Sequence, residues 1–193
     1  MNHSPRLTHM TLISRFLFGP FRSGIEAQRP LLYRIAYAWC HDPALADDLV
    51  QEALSKAWAR RAQLRDEAAL KGWMVSIMNH CWLDHLRSWR DFDDIDDLYD
   101  ELESGVEAPD ACCNRREVIA CVRAAVARLP LGQRQVLTLV DLEEFGYAEV
   151  AGILDIPVGT VMSRLSRARA SLKVLLDPAA QQPAARTLLR SVK

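Results

Sequence analysis

Apolar residues recur at three- and four-residue steps along the first half of the chain, which is the period of amphipathic helices. A first helix is predicted to begin near Pro30 and to end before His41. Asp42 can cap a second helix, which Pro43 opens and which runs to about Arg61. The predicted inward positions of this second helix are Leu45, Leu49, Ala53, Leu54, Ala57 and Trp58. Its polar side consists of Asp47, Asp48, Gln51, Glu52, Ser55 and Lys56.

A third helix is predicted from about Glu67 to Arg90, and it has two apolar sides. One apolar side contains Leu70, Trp73, Met74, Ile77 and Cys81, and the other contains Val75, Met78, Trp82, Leu86 and Trp89. Between them runs a polar strip of Ser76, Asn79, His80, Arg87 and Arg90, with Leu83 among them. Such a helix packs on two sides and leaves one basic strip open to a partner. The tryptophans of this helix belong either to the surface that meets the partner or, as the alternative, to the core of the bundle.

The second half of the chain contains the pattern of a helix-turn-helix. A helix from about Arg115 is stopped by Pro130, and another is predicted from Gln133 to Glu144. Two short helices follow between Tyr147 and Leu172, with a predicted core of Val150, Ala151, Leu154, Ile156, Val161 and Leu165. Asp155 stands where the turn usually has glycine, and Gly146 with Glu149 forms the predicted cap of the first helix.

The second helix of this unit carries basic and hydroxyl side chains and no acidic one. They are Ser163, Arg164, Ser166, Arg167, Arg169 and Lys173. Arginine can bond guanine edges in the major groove, and arginine, lysine and serine can hold phosphates. The pattern therefore favours DNA binding, with a solvated basic surface as the alternative.

These elements predict an all-α fold of two small helical domains, an N-terminal helical bundle and a C-terminal helix-turn-helix domain, joined by an acidic linker. The predicted divisions are a mobile leader at 1–27, the bundle at 28–92, the linker at 93–114, the helix-turn-helix domain at 115–176 and a tail at 177–193.

Charge divides the chain in the same way. The 193 residues have a net charge of −1, but ten acidic residues and no lysine or arginine lie between positions 91 and 110. Without that block, 24 basic residues face 15 acidic ones, a balance of +9. A basic remainder indicates a polyanionic partner, although a solvated charge run explains the block equally well.

Other composition features exclude several classes of protein. Five cysteines form an odd set without a C-x-x-C pair, so we expect idle thiols and neither a zinc site nor a disulfide framework, with a redox role for Cys112 and Cys113 as the alternative. The apolar patch from Leu12 to Phe18 is interrupted and lacks a cleavage site, which predicts no signal peptide and a cytoplasmic protein. No catalytic motif, metal site or cofactor site is predicted.

Two blocks of residues resemble those of a known family. Asp48-Leu49-Val50-Gln51-Glu52-Ala53, Lys56-Ala57-Trp58, Trp73 and Asp84-His85-Leu86-Arg87 resemble region two of bacterial sigma factors. Leu129-Pro130, Val136-Leu137, Tyr147-Ala148-Glu149-Val150-Ala151 and the run from Ile156 to Arg169 resemble region four. Because both blocks occur in order over about residues 30 to 175, the chain resembles the extracytoplasmic-function group, which keeps only these two domains.

The resemblance implies binding to core RNA polymerase and to promoter DNA. Docking on the polymerase is expected from Asp47, Asp48, Gln51, Glu52 and Lys56. Recognition and melting of the −10 element are expected from Leu64, Arg65, Lys71, Asn79, His80, Leu83, Arg87 and Arg90. Recognition of the −35 element is expected from Thr160, Ser163, Arg164, Ser166, Arg167, Arg169 and Lys173. His80 stands where many members of the group have asparagine.

The resemblance also implies an anti-sigma factor, anchored in the membrane in many cases, and no small-molecule substrate. Two other functions remain open from sequence. A conventional helix-turn-helix regulator would explain the second domain but would give no role to the polar side of the second helix. A sigma mimic that titrates an anti-sigma factor would not need the basic helix. An enzyme is the least favoured class.

Overall fold

The computed structural model describes residue 19, residues 21–89 and residues 115–176, and they are organised as two compact helical units that divide at residues 91 and 92. Across these ranges the regular structure is helical throughout. Within the same ranges no helix has the length and apolarity needed to cross a membrane.

The first unit is a bundle of three main helices, α1 (Arg29–Cys40), α2 (Pro43–Ala59) and α3 (Leu70–Trp89), each of which contacts the other two. The break between α1 and α2 is fixed locally. His41 adopts a left-handed conformation with φ of 56°, which ends α1. The Asp42 carboxylate then accepts hydrogen bonds from the backbone N–H groups of Ala44 and Leu45 at 2.8 and 3.1 Å, as the predicted cap requires.

The bundle core follows the predicted periodicity over most of its length, with a departure at the end of α2. Its buried apolar side chains include Leu32, Ile35, Trp39, Leu49, Val50, Ala53, Met74, Val75, Ile77, Met78, Cys81 and Trp82. Trp58 was predicted to face inward, but 37% of its surface is exposed. At the last turn of α2 the small Ala57 is buried, as predicted, and the Arg61 guanidinium lies 5.2 Å from the exposed Trp58 ring, measured to its centroid.

Residues 21–27 are helical and belong to the first unit, so the prediction of a mobile leader over 1–27 is wrong for this part. Ile25 is buried with 4% of its surface exposed. The Phe21 ring lies 6.2 Å from that of Trp58 and 6.5 Å from that of Trp73, between centroids. The segment is held because its two apolar side chains, four residues apart, lie on one side of the helix. The rest of the predicted leader lies outside the described residues, apart from Gly19.

The predicted start of the third helix is corrected. The third helix was expected from Glu67, but Glu67–Ala69 forms a 3₁₀ turn before α3. The Asp66 carboxylate caps this turn by accepting from the backbone N–H of Ala68 at 2.9 Å. Arg90 and residues 91–114, which include the predicted linker, lie outside the described residues.

The second unit contains α4 (Arg115–Ala127), α5 (Leu131–Leu137), α6 (Tyr147–Leu154) and α7 (Val158–Leu176), and α7 contacts the other three. The helix predicted at 133–144 begins at Leu131, directly after Pro130, and continues into a π-helical turn at Thr138–Leu142. The buried Arg134 guanidinium donates hydrogen bonds to the backbone carbonyls of Ala127 and Leu129, at 2.8 and 2.9 Å. Arg134 thus satisfies carbonyl groups left open at the end of α4.

The cysteines differ partly from the expectation. Cys40 and Cys81 are free thiols, whereas Cys121 is disulfide-bonded. The expectation of idle thiols is therefore wrong for Cys121, because an odd cysteine count excludes complete pairing but not a single bridge.

Candidate polymerase and promoter interfaces

The polar side of α2 forms one exposed surface, which we call the docking face. Its members recur at steps of three and four residues along the helix and are Asp47, Asp48, Gln51, Glu52 and Lys56. Asp48, Gln51 and Glu52 are exposed, and Asp47 and Lys56 are half-buried. Asp47 lies 3.4 Å from Arg29 at the start of α1. The docking face therefore offers carboxylates and an amide to a partner, as the sequence pattern predicts.

Lys56 connects the docking face to α3 through a network of charged groups. Its Nζ lies 2.8 Å from the Glu52 carboxylate and 3.2 Å from the Asp84 carboxylate. The other oxygen of Asp84 accepts a hydrogen bond from Arg87 at 3.2 Å. The hydrogen bond to Glu52 is the largest cause that raises the pKa of Lys56, against the opposing effect of partial burial. Lys56 therefore stays charged, and Asp84 joins it to Arg87.

The residue beneath this network is the buried Cys81, and burial raises the pKa of its thiol. A buried thiol with a raised pKa is held in its protonated form and is a poor nucleophile. Cys81 is therefore a core residue beneath the charged network and not a reactive group.

The exposed strip of α3 contains most, but not all, of the residues expected there. Lys71, His80 and Arg87 are exposed, and Leu83 is half-buried. Asn79 is only 1% exposed, so its placement on the open strip was wrong. Its position four residues after Val75 puts it on a packed side of α3. We use the name α3 strip for Lys71, His80, Leu83 and Arg87.

The connection between α2 and α3 lies beside this strip in sequence and contains a 3₁₀ turn at Arg61–Gln63. Leu64 is half-buried and Arg65 is exposed. Arg61 donates a hydrogen bond to the backbone carbonyl of Trp58 at 3.0 Å, in addition to its contact with the ring. Arg61 thus holds the start of the connection against α2, and Asp66 caps the 3₁₀ turn at its end.

The helix-turn-helix has the local geometry that the sequence predicts. The Gly146 backbone N–H donates to the Glu149 carboxylate at 2.9 Å, which caps α6. Asp155 has φ of 54°, the left-handed conformation that glycine usually supplies between two such helices. The core between α6 and α7 is buried and contains Val150, Ala151, Leu154, Val161 and Leu165. Ile156, also predicted there, is half-buried.

The outer side of α7 carries the basic residues that were predicted to contact DNA. The exposed members are Ser163, Ser166, Arg167, Arg169 and Lys173, and the half-buried members are Thr160 and Arg164. We call these seven residues the α7 basic face. They suit both phosphate contacts and base contacts in a major groove.

Arg169 is held by a partner within its own unit. Its Nε and Nη2 donate to the two oxygens of Asp141 at 3.0 and 2.6 Å, a bidentate pair. Hydrogen bonding to Asp141 is the largest cause that raises the pKa of Arg169. Sequence reasoning missed Asp141 because 28 residues separate it from Arg169. Asp141 and a phosphate group would compete for the same guanidinium.

No cluster of histidine, cysteine and acidic residues suited to a metal ion occurs in residues 21–89 or 115–176. The described surfaces carry acidic and amide groups on α2 and basic groups on α3 and α7.

Comparisons with known proteins match both helical units to known protein regions. The family profile of Sigma-70 region 2 matches residues 25–92, and that of Sigma-70 region 4 matches residues 119–172. The ECF RNA polymerase sigma factor EcfG of Rhodopseudomonas palustris is 33% identical over 156 residues, which cover 80% of this chain and 84% of that protein. The RNA polymerase sigma-H factor of Pseudomonas aeruginosa is 31% identical over 147 residues, covering 72% and 76% respectively.

Among solved structures, the sigma factor RpoE from Bartonella quintana, crystallised in complex with the anti-sigma factor NepR, matches with a TM-score of 0.64 and 27% identity. The match covers 81% of this chain and 96% of that one. The two matched regions correspond to the two helical units, one region to each unit. The chain therefore belongs to the extracytoplasmic-function group of RNA polymerase sigma factors, which bind core polymerase and direct it to specific promoters.

Proposed function

We propose that the two units divide the work of promoter recognition. Residues 28–92 would dock on core polymerase and open the −10 element, and residues 115–176 would bind the −35 element as duplex. Residues 93–114 would link them. The observation that carries this proposal is the separation of charge, with an acidic and amide docking face on α2 and basic surfaces on α3 and α7.

The docking face would contact core polymerase through Asp47, Asp48, Gln51, Glu52 and Lys56. Support comes from its exposure and from the ion pairs that hold Asp47 and Lys56 at its edges. Replacing Asp48 and Gln51 by alanine should weaken core binding at least tenfold, because central interface residues supply most of the binding energy. Glu26→Gln, which removes a charge from an exposed pair with Arg22, is the matched control.

The −10 element would be bound by the connection between α2 and α3 and by the α3 strip. Leu64, Leu83 and His80 would contact an extruded base, and Arg65, Lys71, Arg87 and Arg90 would follow the single-stranded backbone. Asn79 does not belong to this set, because its side chain is buried.

The −35 element would be read by the α7 basic face. Phosphate contacts release counterions when DNA binds. Lys173→Gln should therefore lower the slope of log affinity against log salt concentration by about one, and by the same amount for every DNA sequence. A residue that bonds a base edge should instead relax the preference at one position. Footprinting of Ser163→Ala, Arg164→Ala and Arg167→Ala holoenzymes would assign the two roles.

An anti-sigma factor is the proposed regulator. The support is that the RpoE structure similar to this chain is a complex with an anti-sigma factor. This sigma factor would act in the cytoplasm and would need no cofactor, metal or catalytic activity of its own. The anti-sigma factor would be either free or anchored in the membrane. Co-purification of a small protein that blocks core binding and is displaced under stress would support this; unregulated activity in vivo would contradict it.

A further inference from the structure

His80 lies on the α3 strip, and one of its two ring nitrogens is engaged within the helix. Its Nδ1 lies 2.7 Å from the backbone carbonyl oxygen of Ser76, one turn earlier. A carbonyl oxygen can only accept a hydrogen bond, so Nδ1 carries the proton in this contact. In the neutral imidazole, Nε2 then has a lone pair and no proton. Ser76 thereby fixes the tautomer in which Nε2 is an acceptor.

The surroundings of His80 fit contact with a base. The ring is exposed, whereas the neighbouring Asn79 is buried and belongs to the packed side of α3. Leu83, three residues further on, is half-buried and lies on the same side of the helix. Its side chain offers an apolar surface and no hydrogen-bonding group. The exposed Asp84, four residues further on, already pairs with Lys56 and Arg87, so Nε2 of His80 is the group that this part of the strip offers to a base edge.

We propose that His80 determines specificity by accepting a hydrogen bond from the exocyclic amino group of an extruded −10 base, and so selects cytosine or adenine over thymine or guanine. At the same corner of the base, cytosine and adenine carry an N–H₂ donor, whereas thymine and guanine carry a carbonyl oxygen. A carbonyl oxygen against Nε2 would bring two acceptors together with no proton between them. This inference rests on the proposed function, in which the α3 strip faces the −10 element as an unpaired strand.

Asparagine at this position would behave differently. An asparagine amide can turn either its N–H₂ group or its oxygen toward the base, so it can pair with both kinds of base corner. The imidazole has no such choice while Nδ1 donates to Ser76. The selectivity is therefore expected from the chemistry of this residue and not from its position alone.

The test compares holoenzymes with wild-type His80, His80→Asn and His80→Ala on a promoter library randomised across the −10 element. The library identifies the position where the base preference depends on residue 80. At that position, the preferred base is then replaced by an analogue that lacks only the amino group, purine for adenine or a pyrimidinone for cytosine. The measurement is the rate of open-complex formation on the two templates.

For the wild type, we expect removal of the amino group to slow open-complex formation about fivefold, the effect of one lost hydrogen bond. His80→Ala should open both templates at the same rate. His80→Asn should transcribe but discriminate less between amino and keto bases. Thermal melting of each variant checks that α3 remains folded, which we expect because the side chain is exposed.

Equal slowing in the wild type and His80→Ala would mean that another residue reads the amino group, and it would overturn the inference. A library preference that does not depend on residue 80 would overturn it as well, while the wild-type transcripts would leave the proposed function standing. Failure of the wild type to transcribe from any library member would instead contradict the proposed function, and the inference with it.

Discussion

Single residues connect surfaces that are far apart in sequence. Asp84 accepts from both Lys56 of the docking face and Arg87 of the α3 strip. Asp141 holds Arg169 of the α7 basic face. In each case, one carboxylate fixes the position of a basic side chain that we propose to contact a partner. Both carboxylates lie outside the predicted site residues, and both can be tested by amide substitutions that preserve side-chain shape.

Asp84→Asn should weaken two activities at once, because the amide cannot pair electrostatically with Lys56 and Arg87. We expect core binding and binding of −10 single-stranded DNA each to fall about two- to fivefold. Stability should fall by only about 0.5 kcal/mol, since the ion pairs are largely exposed. Fluorescence titrations measure both affinities, and Asp48→Asn is the control that should affect core binding alone. A loss confined to one activity would show that Asp84 does not couple the surfaces.

Asp141→Asn should strengthen binding to −35 DNA, because it frees Arg169 and removes a negative charge near the phosphates. We expect about threefold tighter binding at moderate salt and a smaller gain at high salt. Glu144→Gln removes the same charge from an exposed residue nearby and serves as the control. Weaker binding by Asp141→Asn would mean that the bidentate pair positions Arg169 for DNA.

Helices in which apolar residues recur over several turns were predictable from sequence, whereas elements held by few contacts were not. The core sides of α1, α2 and α3 follow from apolar residues repeated over three or more turns. Residues 21–27 contribute only Phe21 and Ile25 to the core, too few for a periodic signal. The left-handed turn at Asp155 was predictable from local chemistry, whereas the π-helical turn that ends α5 has no comparable sequence signal.

The candidate sites also have features that the sequence predicts and features that it does not. Spacing along one helix was sufficient to predict the docking face and the α7 basic face. The burial of Asn79 and the exposure of Trp58 depend on how neighbouring helices pack, which a single helix pattern does not contain. The pairs Lys56–Asp84 and Asp141–Arg169 each join residues 28 positions apart and arise only from the tertiary fold.

Ile25→Ala tests whether residues 21–27 are part of the first unit. Removing a buried isoleucine side chain leaves a cavity, so we expect the free energy of unfolding of the bundle to fall by about 2–3 kcal/mol. Ile119→Ala is the matched control, since that side chain is 46% exposed and should change stability by less than about 0.5 kcal/mol. Urea denaturation followed by circular dichroism measures both. Equal, small effects would show that the segment does not contribute to the core.

On the scale of the whole molecule, an acidic segment separates two parts of the chain with a positive net charge, +4 over residues 1–90 (12 basic, 8 acidic) and +5 over residues 111–193 (12 basic, 7 acidic). Residues 91–110 lie outside the described part of the chain, and the sequence gives them ten negative charges and no positive one. A strongly acidic segment linked to basic surfaces competes with DNA phosphates for them. We therefore expect the free factor to bind DNA more weakly than its basic domains would without the linker.

Neutralising Asp93, Asp94, Asp96 and Asp97 to asparagine should raise the affinity of the free factor for DNA, most strongly at low salt. A gel-shift titration in the absence of polymerase measures this effect. Asp47→Asn, a single charge removed from the docking face, serves as a control outside the linker. Unchanged binding by the linker variant would show that the acidic segment does not shield the basic domains.

The most direct test of the whole account is run-off transcription by core RNA polymerase on a genomic fragment library, with and without this protein. We expect transcripts that appear only when the protein is present and whose start sites share two upstream elements, one near −10 and one near −35. Substitution of Asp48 and Gln51 should abolish these transcripts without abolishing DNA binding. DNA binding without core binding and without transcripts would contradict the account and would favour a conventional helix-turn-helix regulator.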